Sequence, residues 1–427
     1  MKPYLKSTRV NFNNTPITYA TAYGWTEQVK TNSCLFICSF GGTINGTHTP
    51  VGDKIYLVTN SDYHTYCKSI GVESSTLYLY IDTPSAITTD PDSIIENVMD
   101  CSMCCMNQCT IVLSIFSGLA DFYNCFQTML AGYTFNDGIL KPTHITISWG
   151  CPENQISSID KNVPSLIENC GVSIFAASGD NNATDGTNTL MVDFPSSCPY
   201  IIGVGGTTLK STNPLVETVW NNSGYGTGGG VSQLFSKPSY QTITGTKRMV
   251  PDVCAVSDPN TGVTLCINGT ISGGYGGTSM AAPFVCAMYA ICQYKYNITA
   301  PLYSFLYKAN CFHDIVSGNN VGYSATIGYD PCTGLGSILW PKMMEYLSTT
   351  PKPIPTTSKI SIKIQVNKTY PFSYPITYIS PTIKIQKKSI RVSKIGNFII
   401  TIPTPSMLYQ FTIIVVRNIN IRFALST

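Results

Sequence analysis

Between residues 35 and 206 short apolar runs alternate with segments of mixed polarity. Runs at 35–39, 54–58, 76–81, 110–114, 144–149 and 172–177 have strand length and are rich in β-branched and aromatic residues. The intervening stretches 93–107, 119–131 and 157–169 carry helical spacing. Apolar strands separated by helices predict an α/β fold, a mostly parallel sheet covered by helices on both faces. In such a sheet, functional residues collect where strands end and helices begin. From Gly206 to Gly277 glycine and polar residues dominate, most densely in Gly224-Tyr225-Gly226-Thr227-Gly228-Gly229-Gly230. That patch reads as a cleft wall of exposed backbone or as a flexible loop. Residues 278–292 are almost uniformly apolar and predict a buried helix, in which Pro283 fits only near the start.

The composition changes near Ser348. Residues 350–357 read as a Pro/Thr linker. Beyond it, β-branched runs across 358–427 predict a small β-rich appendage without a catalytic constellation. Residues 1–349 then form the main domain.

Charge narrows the function classes. Asp, Glu, Lys and Arg together make up 11% of the chain, with 26 basic against 23 acidic residues. There is no basic reservoir for phosphates, which argues against nucleic-acid binding. No run of 18 apolar residues marks a membrane span. The start, Met1 to Arg9, carries no hydrophobic signal region. Against that stand seven Asn-x-Ser/Thr sequons, at Asn13, Asn45, Asn182, Asn221, Asn268, Asn297 and Asn367, which lean toward a glycoprotein of the secretory route. The 17 cysteines favour some disulfides. The run Cys101, Cys104, Cys105, Cys109 lies in a helical segment without a matching pair, so it does not read as zinc.

Candidate chemistry begins with Ser279, behind Gly276-Gly277-Thr278 and at the head of the apolar helix. Glycines there admit close backbone approach, and helix-start N–H groups suit an oxyanion. A serine nucleophile needs a base, normally histidine, and the chain has four histidines. His144 and His313 have no obvious carboxylate partner. Glu96 and Asp100 offer another base. Four residues apart, they share one helix face about 5–6 Å apart, where like charges raise a pKa. Read as local structure, Ser93-Ile94-Ile95-Glu96 is instead a helix-capping box. Asp180, in Ser178-Gly179-Asp180 after a strand, is either a turn residue or a protonated donor to an oxyanion. Asp314 and Asp330, in a glycine-bent region, suit an oxygen-rich calcium site, although the spacing is not that of an EF-hand.

Together these segments resemble the sedolisin family of serine-carboxyl peptidases over residues 15–344. The resemblance rests on Thr15-Pro16 through Ala22-Tyr23-Gly24-Trp25, Ser148-Trp149-Gly150, Ala177-Ser178-Gly179-Asp180, Phe194-Pro195-Ser196 and, above all, Gly277-Thr278-Ser279-Met280-Ala281-Ala282-Pro283. A subtilisin shares the serine motif but would need a histidine motif in the first third, which is missing. The resemblance implies a subtilisin-like fold and peptide-bond hydrolysis in acid, by an endopeptidase or a tripeptidyl-peptidase. Ser279 would be the nucleophile, Glu96 the base, Asp100 its partner and Asp180 the oxyanion donor. One Ca²⁺ would be held by the Asp314 and Asp330 carboxylates and the carbonyls of Ile315, Thr326 and Gly328. A glycine is usual where Thr326 stands. The resemblance also implies a monomer acting on polypeptides in an extracellular or lysosome-like compartment, with a prodomain that is separate, removed or dispensed with. The competing class is a catalytically silent binding or structural protein on the same fold.

Overall fold

The computed structural model describes residues 5–6, 14–118, 121–135, 138–222, 224–298 and 301–349, and strands between residues 359 and 416. The chain divides into two compact units, Met1–Thr350 and Pro351–Thr427.

The first unit is built on a 12-stranded sheet. In chain order its strands are β1 (Val29–Phe40), β2 (Thr47–Gly52), β3 (Ile55–Thr59), β4 (Thr76–Ile81), β5 (Asn107–Phe116), β6 (His144–Ile147), β7 (Ser173–Ala177), β8 (Ile201–Thr212), β9 (Leu215–Val219), β10 (Val253–Val256), β11 (Phe312–His313) and β12 (Ser337–Ile338). They lie side by side as β11-β12-β10-β8-β7-β6-β1-β5-β4-β3-β2, with β9 paired to β8. Every pairing from β12 across to β4 is parallel, and the margins are antiparallel.

The helices are α1 (Pro16–Ala22), α2 (Asp62–Ser69), α3 (Pro91–Met103), α4 (Phe122–Ala131), α5 (Val163–Ile167), α6 (Thr278–Tyr296) and α7 (Trp340–Thr349). Strand alternation divides the core between the two faces. Leu35 and Ile37 of β1 pack with Met99 of α3 and Met280 and Phe284 of α6. Phe36, Cys38 and Phe40 pack on the other face with Phe122 and Phe126 of α4 and Ile167 of α5. The expected α/β, subtilisin-like sheet with helices on both faces is therefore present.

Several local expectations change. The helix anticipated over 157–169 is a 3₁₀ turn, Asp160–Asn162, followed by the short α5. Pro164, with no N–H and a ring that crowds the preceding turn, restarts the helix there. Pro283 lies inside α6 as its sixth residue. The disulfides expected from the cysteine count are not formed, and all 17 thiols are free. All but Cys151 and Cys170 are buried; these thiols pack as small apolar groups on core elements. Among the sequons, Asn182 is 7% exposed and its amide donates to the Gly224 carbonyl, so it offers no accessible acceptor. Asn45, Asn221, Asn268 and Asn297 are exposed, while Asn13 and Asn367 lie outside the described residues. No helix among the described residues is long and apolar enough to cross a membrane.

The second unit contains two three-stranded sheets. Gly396–Pro403 and Lys359–Gln365 flank Leu408–Val416, and Thr369–Pro371 and Ile383–Gln386 flank Ser389–Val392. The linker read at 350–357 lies outside the described residues.

Candidate active site

Helix α3 begins one turn earlier than the capping-box reading requires. Asp90 is its N-cap, accepting from the Ser93 amide at 2.9 Å, and Pro91 follows at the first helical position. Glu96 is thus an interior residue. It and Asp100 are fully buried on the face turned toward α6. Asn97 between them is also buried. Its amide donates to the Gly41 and Thr43 carbonyls at 3.2 and 3.1 Å, while its oxygen accepts from Ser39. Ser39 in turn accepts from the Trp149 indole at 3.2 Å. This chain locks α3 to the ends of β1 and β6.

Ser148, directly after β6, contacts both halves of the site. Its hydroxyl lies 2.6 Å from Asp100 Oδ1 and 3.2 Å from the Ser279 carbonyl. Ser279 Oγ donates to the Ser148 carbonyl at 3.3 Å. Ser279 is the second residue of α6 and 2% exposed. Neither Glu96 oxygen nor Asp100 Oδ2 has a hydrogen-bond partner. The Ser279 and Ser148 hydroxyls still lie close enough to favour the ionised form of Glu96. Burial and then the Asp100 charge push Glu96 well above the usual carboxylate range. Burial raises Asp100 to about 8, against the opposing hydrogen bond from Ser148. The two are close enough to titrate as a coupled pair.

Asp180 follows β7 and is 4% exposed. Its Oδ1 accepts from the Thr278 amide at 2.8 Å and the Thr278 hydroxyl at 2.7 Å. Its Oδ2 faces Gly277, where a Cβ would stand 2.6 Å away at φ +121°. Only glycine admits that approach. Burial raises Asp180 to about 6, offset by the two Thr278 bonds. The helix-start cradle expected to bind an oxyanion is therefore partly committed: the Thr278 amide holds Asp180 and the Met280 amide bonds the Gly277 carbonyl. The glycine patch is a packed wall. The Gly226 and Gly228 amides donate to the Asp180 and Gly179 carbonyls at 2.9 and 2.7 Å, and a side chain at 228 would strike the Ser178 carbonyl.

Two further carboxyls beside Asp180 were not legible as site residues. Asp185 and Asp193 are both buried and face each other closely enough for a carboxyl–carboxyl hydrogen bond, with no other partner on their oxygens. Burial raises Asp185 to about 7, and burial and then the Asp185 charge raise Asp193. The only hint was position: Asp193 precedes Phe194-Pro195-Ser196 and Asp185 closes the loop after Asp180.

The histidines are engaged elsewhere. His144 is 1% exposed, edge-on to Tyr289, and burial lowers it to about 4. His64 contacts Ser61, His48 contacts the Ile44 carbonyl and His313 lies on β11.

Away from this cluster, Asp314 Oδ2 accepts from the Gly328 amide at 2.8 Å, and Asp330 Oδ2 from the Thr326 amide at 3.1 Å. Asp314 Oδ1 is buried with no partner. The single ion pair among the described residues joins Arg248 to Asp252, so no side chain neutralises these two carboxylates. No group of three His, Cys, Asp or Glu side chains arranged for a metal occurs among the described residues. Two carboxylates, one with an orphaned buried oxygen, on a loop rich in carbonyls fit a hard cation.

Comparison with known proteins agrees with this architecture. A subtilase-family sequence profile matches residues 142–307. Kumamolisin of Bacillus sp. (strain MN-32) is 31% identical over 366 residues, 78% of this chain and 63% of that protein. Sedolisin of Pseudomonas sp. (strain 101) is 35% identical over 207 residues, covering 42% and 35% of the two chains. The chain is similar to these members of the sedolisin family. Its fold is shared with the solved structure of a Pseudomonas sedolisin, a serine-carboxyl proteinase complexed with two molecules of pseudo-iodotyrostatin. The TM-score is 0.65 at 23% identity, over 80% of this chain and 99% of that one. Human tripeptidyl-peptidase 1 is 28% identical over 261 residues, half of this chain and 44% of its own. The chain spans less than two thirds of the length of these curated relatives.

Proposed function

We propose that the chain is a serine-carboxyl peptidase that hydrolyses peptide bonds in acid through an acyl-enzyme. The observation that carries this reading is the convergence of Ser279, Glu96, Asp100 and Asp180 in one buried cluster at the strand ends, with all four histidines held elsewhere.

In the proposed cycle the Ser279 hydroxyl turns from the Ser148 carbonyl toward Glu96. It gives Glu96 its proton as the oxygen attacks the substrate carbonyl. Asp100 shares the proton of the pair and stabilises the protonated product. Asp180, protonated below about pH 6, presents its Oδ2 proton to the developing oxyanion, because Oδ1 is already taken by Thr278. The amine leaves with the proton from Glu96, and water then repeats the sequence on the acyl-enzyme. Kumamolisin, sedolisin and the tripeptidyl-peptidases support both the reaction class and a polypeptide substrate.

A structural calcium ion is part of the proposal. Asp314 and Asp330 would supply carboxylate oxygens, and Ile315, Thr326 and Gly328 carbonyls. The ion would supply charge neutralisation and loop rigidity, with no part in the reaction.

The competing reading is a silent member of the fold, toward which the donation of the Ser279 hydroxyl to the Ser148 carbonyl at 3.3 Å leans, although that hydroxyl also lies close to Glu96. Buried carboxyls without partners are costly to keep unless they are used, which weighs the other way. Hydrolysis of a peptide library between pH 3 and 7, compared with S279A, decides between the two. The product lengths separate endopeptidase from tripeptidyl-peptidase action. Cleavage that survives S279A, or its absence from the unaltered protein, overturns the proposal.

A further inference from the structure

Proline at position 283 leaves a gap in α6. The Ser279 carbonyl would ordinarily accept the amide four residues later, and Pro283 has none. The Ser148 hydroxyl reaches that oxygen at 3.2 Å, and the same hydroxyl lies 2.6 Å from Asp100 Oδ1. The Ser148 carbonyl meanwhile accepts from Ser279 Oγ. One buried residue thus touches the nucleophile through both its backbone and its side chain, and the carboxyl pair through its side chain.

We infer that Ser148 is a positioning residue of the peptidase site: its hydroxyl marks Asp100 Oδ1 as the acceptor oxygen, and its carbonyl parks the Ser279 hydroxyl until attack. The inference rests on the proposed roles of Ser279 and Glu96. A hydroxyl has one proton to give, and the shorter contact takes it. With Asp100 Oδ1 so occupied, the proton held by the carboxyl pair is confined to Asp100 Oδ2 and the two Glu96 oxygens, the three atoms without another partner. Ser148 therefore orients the shared proton along the path that the Ser279 proton must join. It also favours the ionised pair, acting against burial. The titratable groups facing the pair are Asp180 from the turn after β7, Cys38 from β1, Cys101 from α3 and Cys104 just after it.

The test compares the unaltered protein with S148A and S148T. It records kcat and KM across pH and, separately, the titration of ¹³C-labelled Asp and Glu carboxyls by NMR. Losing a hydrogen bond to a charged carboxyl raises its pKa by about one unit. In S148A the acid limb of kcat/KM is expected to rise by about that much. The expected fall in kcat is about tenfold, with KM little changed, and the carboxyl titration should rise in parallel. S148T, which keeps the hydroxyl, is expected to restore both. If S148A fails to fold, S148C keeps the volume with a weaker donor and takes its place.

An acid limb and carboxyl titration identical to those of the unaltered protein would overturn the inference. So would an S148T as impaired as S148A with an unshifted profile, which marks a packing role alone. The NMR arm reads the Ser148 donor even if no peptide is cleaved. Failure of the peptidase reading and failure of this inference therefore leave different signatures.

Discussion

Replacing Asp180 by asparagine separates its proton from its shape. Asparagine can accept from Thr278 with its carbonyl, as Oδ1 does now at 2.8 and 2.7 Å, and place its NH₂ where Oδ2 faces Gly277. It keeps a donor for the oxyanion but does not titrate. Asp180 itself is raised by burial from 3.8 to about 6. It is then about 99% protonated at pH 4 and about a tenth protonated at pH 7. Activity of the unaltered protein should fall toward tenfold per pH unit above that value. D180N is expected to lose this alkaline limb and retain the acid limb. D180A, with no donor, should lose about 10²–10³ in kcat at every pH.

The same shift bears on stability. A folded pKa above the unfolded one means that folding favours the protonated form. The contribution is present in full below about pH 4 and lost as pH rises through about 6, amounting to roughly 3 kcal/mol by pH 7. D180N should therefore be less sensitive than the unaltered protein to a change from pH 4 to pH 7 in urea melts. Peptide hydrolysis across pH 3–8 and paired melts are the assays. A D180N enzyme whose rate still breaks near pH 6 would refute the assignment of that limb to Asp180.

G277A should cut kcat severely with little change in KM, because its Cβ would press on Asp180 Oδ2 at 2.6 Å and φ +121° is unfavourable for alanine. Its steady-state kinetics against the unaltered protein check this. Calcium chelation, or D314N, should lower the melting temperature by several degrees while leaving the pH profile of residual activity in place; differential scanning calorimetry with and without added Ca²⁺ checks it. H144A and H313A should largely preserve kcat. H144A is also expected to cost about 2 kcal/mol of stability by emptying a buried site, as a urea melt would show.

The sheet was legible because buried parallel strands are written as apolar runs, and 76–81 coincides with β4 to the residue. The proposed nucleophile Ser279 stood out by its glycine-led motif, and Glu96 and Asp100 by their helical spacing. What sequence alone did not reveal depends on contacts between distant segments. Ser148 meets Asp100 across 48 residues and Ser279 across 131, and nothing local marks it as a hub. Glu96 looked like a cap because Ser93 fits one, yet Asp90 starts the helix earlier. Asp185 and Asp193 carry no motif of their own, and only folding brings both beside Asp180. The cysteines suggested bridges by number, while their positions on core elements give them packing roles instead.

The central claim is that Ser279 becomes acylated with Glu96 as its base. Rapid acid quench of a reaction with an activated peptide ester at pH 4, followed by mass-spectrometric peptide mapping, tests it most directly. The account predicts an acyl adduct on Ser279 in the unaltered protein, none in S279A, and formation slowed by about 10²–10⁴ in E96Q. An adduct on a cysteine or histidine, or acylation at an unchanged rate in E96Q, would contradict it.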